Sequence, residues 1–111
     1  MTWQIKYYNE NLEEEILNLP EGLLARYLRL TDLMLEFGAN IGLPHTKPID
    51  TGLFELRVKS KEGIVRVFFC TKIGKKIIML HSFFKKSQKT PKKEIKTAKS
   101  RMKEVLNNET F

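Results

Sequence analysis

The sequence predicts an α+β fold in the order β-α-α-β-β-β-α, a mostly antiparallel sheet with helices packed on one face. Three observations predict it. Apolar residues at helical spacing run through residues 9–37, alternating segments broken by tight turns fill residues 53–85, and a lysine-rich amphipathic stretch follows. With 111 residues, 41% of them apolar, the chain is long enough for a core of its own, and residues 1–111 are expected to form one compact domain.

Trp3 to Tyr8 alternates weakly and reads as a short strand. Asn9 or Asn11 then caps a short helix through Leu19, with Glu13, Glu14 and Glu15 near its positive end. Pro20 suits the first position of a second helix, whose broad stripe of Leu23, Leu24, Tyr27, Leu28, Leu30, Met34 and Leu35 ends at Gly38. Residues 39–52 hold two Pro and two Gly and are expected to form a connecting loop.

Three strands are expected next. Leu53 to Lys59 sets Phe54, Leu56 and Val58 against Glu55, Arg57 and Lys59, and a turn at Gly63 follows. Ile64 to Thr71 sets Val65, Val67 and Phe69 against Ile64, Arg66, Phe68 and Cys70. After a turn at Gly74, Lys76 to Lys85 sets Ile78, Leu80, Ser82 and Phe84 against Ile77, Met79, His81, Phe83 and Lys85. Thr90-Pro91 suits the cap and first position of a last helix, with Ile95, Ala98, Met102, Val105 and Leu106 on one stripe and lysines around it.

The charges are sorted along the chain. Residues 1–56 carry 4 Lys/Arg against 9 Asp/Glu, a net of −5, and residues 57–111 carry 16 against 4, a net of +12, which together give +7. Such a one-signed field attracts a polyanion and holds it by counterion release; the plainer reading is a solvated helix face with basic flanks. Cys70 is alone, which leaves no intramolecular disulfide and no cysteine metal site. His45 and His81 lie far apart in sequence, so neither metal nor cofactor is expected. With no leader and no segment near the ~18 apolar residues of a membrane span, the chain is expected to be cytoplasmic, without a membrane partner.

If the first set of each strand faces the helices, the second face presents Arg57, Lys59, Arg66, His81, Phe83 and Lys85 together. Guanidinium forks grip phosphate oxygens, and an aromatic ring stacks on an unpaired base. Each residue also has a plainer role. Arg57 and Arg66 can pair with Glu55 or Glu62, and His81 can be an ordinary hydrogen-bonded histidine. Phe83 can plug a small second core with Phe68, Met79 and Ile77, and Lys85, Lys86 and Lys89 can be solvated loop charges.

The block Gly52-Leu53-Phe54-Glu55-Leu56-Arg57-Val58, then Val65-Arg66-Val67-Phe68-Phe69, then Leu80-His81-Ser82-Phe83-Phe84-Lys85-Lys86-Ser87-Gln88-Lys89-Thr90-Pro91 resembles the RelE/ParE toxin superfamily. Within it, the chain is most similar to the HigB-like, phage-related branch, as is the loop Gly42-Leu43-Pro44-His45-Thr46-Lys47-Pro48. The resemblance runs nearly end to end and rests on order and spacing, since no single element is specific. It implies the compact toxin fold and a helix-turn-helix antitoxin as partner, with a toxin that is monomeric outside that complex. It also implies ribosome-dependent cleavage of mRNA. Arg57, Arg66 and Lys85 stand where this branch places basic site residues, and His81 falls in its L-H-x-F pattern. The C-terminal tyrosine of some relatives has no match, because the final helix contains none.

RNA is cut without metal when its 2′-OH attacks the adjacent phosphate, given a base, charge stabilisation and an acid. Candidates for acid and base are His81, whose unperturbed pKa is about 6.5, and a lysine crowded by cations, Lys85 or Lys59. Arg57 and Arg66 are expected to clamp the phosphate, Phe83 to stack a base, and Lys86 and Lys89 to follow the RNA backbone. Two other functions fit the same fold: inhibition of DNA gyrase without any cleavage, and passive RNA binding through the C-terminal lysines.

Overall fold

The computed structural model describes residues 2–86, 89–109 and 111. Ser87 and Gln88 of the resemblance block therefore lie outside the described residues. The order is β1 (Gln4–Tyr7), α1 (Glu10–Leu17), α2 (Glu21–Phe37), β2 (Thr46–Asp50), β3 (Leu53–Ser60), β4 (Gly63–Lys72), β5 (Lys76–Phe84) and α3 (Lys92–Leu106). The five strands form one sheet in the order β1-β5-β4-β3-β2, with β1 parallel to β5 and the other pairs antiparallel. The α+β class and the mostly antiparallel sheet are those the sequence predicts. Among the described residues, no helix is long and apolar enough to cross a membrane.

The expectation that the helices share one face is corrected. Helices α1 and α2 cover one face, where Leu12, Ile16, Leu23, Tyr27, Leu30 and Met34 pack on Leu56, Val58, Val65, Val67, Phe69, Ile77 and Met79. Helix α3 covers part of the other, where Ala98 and Val105 pack with Leu53, Phe68, Cys70, Ile78 and Leu80. The apolar stripe of α3 shows that it packs, and the apolar residues on both faces of β4 and β5 give it a seat opposite α1 and α2. Burial among this second cluster pushes the Cys70 thiol up to about 11, so it stays protonated and inert near neutrality.

Strands β3 and β4 follow the predicted alternation, but β5 changes parity within its length. Phe68 pairs with His81 while Phe69 pairs with Met79, so Leu80 is the extra residue of a β-bulge. The expectation that Ile78 and Leu80 face the main helices with Ser82 and Phe84 is therefore overturned, and Ile77 and Met79 do so instead. Phe84, expected in the core, lies at the sheet's end and is 48% exposed.

The predicted loop 39–52 contains β2, an edge strand running through Pro48, with its register shifting between Pro48 and Asp50. A proline cannot donate to a ladder, and an outermost strand tolerates it because only one side is paired. Asn9 caps α1 by accepting the Leu12 amide at 2.8 Å. Gly38, at a φ of +107°, ends α2 as expected. At the other end of α3, the Lys72 ammonium donates to the carbonyls of Val105 (3.1 Å) and Asn108 (2.5 Å), a cation at the negative end of the helix dipole.

Pro20 has no side-chain oxygen to cap α2, and the cap comes from the β3–β4 turn: Glu62 Oε1 accepts the Leu23 amide at 3.0 Å. The carboxylate passes so close to Gly22 that a Cβ there would collide with it. Replacing Glu62 with alanine is expected to cost about 1 kcal/mol of stability. Gly22→Ala should cost a similar amount despite alanine's better helix propensity, because it expels the same carboxylate. Denaturant unfolding of both single variants and the double should show strong non-additivity; simple addition would mean the two residues do not act through one contact.

Candidate active site

The uncovered part of the α3 face holds the predicted basic residues. Arg57 lies opposite Arg66 across β3 and β4, and Arg66 lies opposite Phe83 on β5, so the three form one rank across the sheet. The next rank toward α3 is Lys47, Glu55, Phe68 and His81, one from each of β2 to β5. Beyond β5, the Lys85 amide donates to the Ile64 carbonyl at 2.8 Å and prolongs the ladder by a residue. This pairing fixes the direction in which the Lys85 side chain leaves the sheet.

Arg57, Arg66 and Lys85 do come together, with Lys47 as a fourth cation. The pKa of Lys85 is pulled below the usual lysine range by desolvation first, then by the charges of Arg66, Arg57 and Lys47. The sequence does not announce Lys47 as a site residue. It stands in the segment read as loop, and its Thr46/Lys47 alternation is the signal that Pro48 hides.

Of the two roles the sequence allows, Arg66 has the plainer one, a pair with Glu55, and not the open phosphate clamp. Its side chain is 5% exposed and forms an ion pair with Glu55, itself 1% exposed. Burial pulls the pKa of the guanidinium below its usual range. Thr90, just before α3, donates to the other Glu55 oxygen at 3.4 Å, so this carboxylate links β3, β4 and the start of α3. Arg66 Nε is buried and has no hydrogen-bond partner among the described residues. A buried donor left unmade costs on the order of 1–3 kcal/mol.

His81 and Phe83 are engaged within the protein. His81 Nε2 lies 2.5 Å from Glu94 Oε2 on the first turn of α3, each side chain 19% exposed. The Phe83 ring stacks with Phe68 at 5.6 Å and with His81 at 6.1 Å between centroids. The plainer reading of Phe83 is thus correct in kind, with Phe68 as its partner; Met79 and Ile77 lie on the opposite face. Four residues along a strand separate the backbones of His81 and Lys85 by about 13 Å. The imidazole therefore belongs to the α3 contact, not to the cluster around Lys85. Lys59, Lys86 and Lys89 are exposed, and Lys59 lines a cavity with Arg57.

Such an arrangement can bind and polarise a phosphodiester: fixed cations face the anion, and one amine is easier to deprotonate than a free lysine. The family described as Phage derived protein Gp49-like (DUF891) matches residues 14–103, a span that includes all five strands but β1 and every residue of the cationic cluster. No curated protein matches the chain. The Gp49-like proteins are consistent with toxins of toxin–antitoxin systems, which implies an antitoxin as partner. By the fold, the basic rank on its open face and this match over most of its length, the chain belongs to the phage-derived Gp49-like family, a RelE-like toxin family.

Proposed function

We propose that the protein is the toxin of a type II toxin–antitoxin system, of the HigB-like kind, and acts as a ribosome-dependent mRNA endonuclease. The observation that carries this reading is the convergence of Lys47, Arg57, Arg66 and Lys85, with a depressed pKa at Lys85. Lys85 accepts the proton of the RNA 2′-OH, and the 2′ oxygen bonds to the adjacent phosphorus. Arg57 and Lys47 hold the phosphate oxygens, and the charge of buried Arg66 adds to the positive field there. The phosphorus–O5′ bond breaks, the leaving oxygen takes a proton from water, and the products are a 2′,3′-cyclic phosphate and a 5′-OH. His81 and Phe83 are positioning residues that fix β5 against α3 through Glu94 and Phe68. Lys59, Lys86 and Lys89 guide the RNA backbone, and the ribosome supplies in-line geometry, an effect that contributes several kcal/mol. An acidic segment of a helix-turn-helix antitoxin silences the toxin by covering the same cations.

Brief induction in bacteria, with 5′ ends of cellular RNA mapped, is the direct test. Cuts at discrete sites bearing 5′-OH ends are expected, and Arg57→Ala should sharply reduce them while the protein remains folded. Growth arrest with intact transcripts would sink the reading, and inhibition of gyrase supercoiling by the purified protein would replace it.

A further inference from the structure

Beside the cluster lies a cavity of about 280 Å³ lined by Arg26, Pro44, His45, Arg57, Lys59 and Ile64. Three cations and an imidazole surround it, and no carboxylate is among the lining residues. Its volume falls near the low end of the range for small-molecule sites, room for one nucleotide unit and too little for a duplex. Pro44 and Ile64 give it an apolar wall suited to a ribose or a base edge.

Distant parts of the chain build this cavity. Leu23, Tyr27 and Leu30 anchor α2 on the sheet, which sets Arg26 at the flank of that stripe, beside the β3 edge. Strand β2 pairs with β3 only as far as Leu56, so Arg57 and Lys59 stand at an edge that β2 leaves uncovered. The Arg57 amide donates to the His45 carbonyl at 2.8 Å and holds the 40–46 loop against that edge. The loop is braced internally: Thr46 Oγ1 accepts from the Gly42 amide at 2.7 Å and donates to Asn40 Oδ1 at 2.7 Å. The Gly42 carbonyl also accepts from the amides of His45 and Thr46, at 3.0 and 2.9 Å. A braced loop offers its ring without a large ordering cost on binding, as a site that receives a ligand should.

We infer that the cavity between α2, the 40–46 loop and the β3 edge is a second RNA phosphate subsite, seating the nucleotide next to the scissile linkage. Arg26 and Lys59 hold its phosphodiester, with Arg57 shared between the two subsites. The identity of the ligand as RNA rests on the nuclease reading, whereas its anionic character rests on the lining alone. The subsite gives Arg26 and His45, which lie in the acidic half of the sequence, a place in substrate recognition.

The test measures equilibrium binding of a short fluorescent single-stranded RNA to the purified full chain over a salt series. Arg26→Gln should weaken binding roughly 5–10-fold at low salt. It should also flatten the slope of log affinity against log salt by about 0.7, the loss of one phosphate contact. His45→Gln should weaken binding without that change of slope, and Lys6→Gln, on the far edge strand, should move neither quantity. An Arg26→Gln protein that binds RNA like the wild type overturns the subsite. So does one that loses affinity only for an acidic antitoxin peptide, which would make the cavity a protein contact. Wild-type protein that binds RNA with the predicted slope yet cuts nothing on translating ribosomes would remove the nuclease reading and leave the subsite standing.

Discussion

Under the proposed nuclease function, Lys85→Gln is expected to lower the rate of mRNA cleavage on ribosomes by about 10²–10⁴-fold, the usual contribution of a general base, with thermal unfolding unchanged. Glutamine keeps length and polarity but can neither carry the charge nor accept the 2′-OH proton at the rate required. The sign of the pH dependence follows from the direction of the shift. The Lys85 pKa is depressed, so a larger fraction of its amine is neutral at a given pH than for a free lysine, and cleavage should rise as pH rises through that pKa. Removing the charge of Arg57 with Arg57→Gln takes away one cause of the depression. The ascending limb should then move to higher pH, in addition to any loss of phosphate binding. A purely structural role for Lys85 would leave that limb in place. A wild-type profile flat across the range in which ribosomes remain intact would remove Lys85 as the base and leave it as a charge on the phosphate.

The second large effect falls on stability. Arg66→Ala leaves Glu55 buried with its ion-pair partner gone, an arrangement that costs about 3–5 kcal/mol. For a domain of this size that corresponds to a fall in Tm of roughly 10–20 °C. Loss of toxicity in this variant would therefore report unfolding as readily as lost chemistry, and Arg57, half-buried and outside this ion pair, is the better probe of phosphate binding. Replacing both partners with apolar residues of similar volume, Glu55→Leu with Arg66→Met, should restore most of the stability without restoring activity. Calorimetric unfolding of the two variants decides it: equal Tm values for Arg66→Ala and wild type would mean that the pair contributes nothing to holding β3, β4 and α3 together.

The likeness of the chain to RelE-like toxins lies in the order and spacing of its sequence blocks, whereas the faces of β3 and β4 are legible from uninterrupted alternation. Strands β3 and β4 have no proline, no internal glycine and no bulge, so a period of two assigns every side chain to the correct face. Strand β5 breaks that rule at Leu80, where one unpaired residue reverses the parity of all that precede it, and no residue type there announces the insertion. Likewise Lys47 was hidden because a strand carrying Pro48 and followed by Gly52 carries the signature of a loop. Parity placed Glu55 and Arg66 on one face and left two readings of Arg66 open, an open phosphate clamp or a pair with Glu55; the pair is the one formed. A solvated charge and a buried, paired one look alike in sequence, and only the tertiary structure separates them.

The sequence by itself determined the element order apart from β2, the main core stripe of α2, the segregation of charge and the shared face of Arg57, Arg66, His81 and Lys85. Those follow from local periodicity and from side-chain chemistry, which a chain expresses wherever it folds. The tertiary structure decided which of these four stand in solvent, which are held by carboxylates, and how Lys47 and Arg26 reach the same surface. Such facts depend on distances between residues far apart in sequence, and the side on which α3 comes to rest sets them.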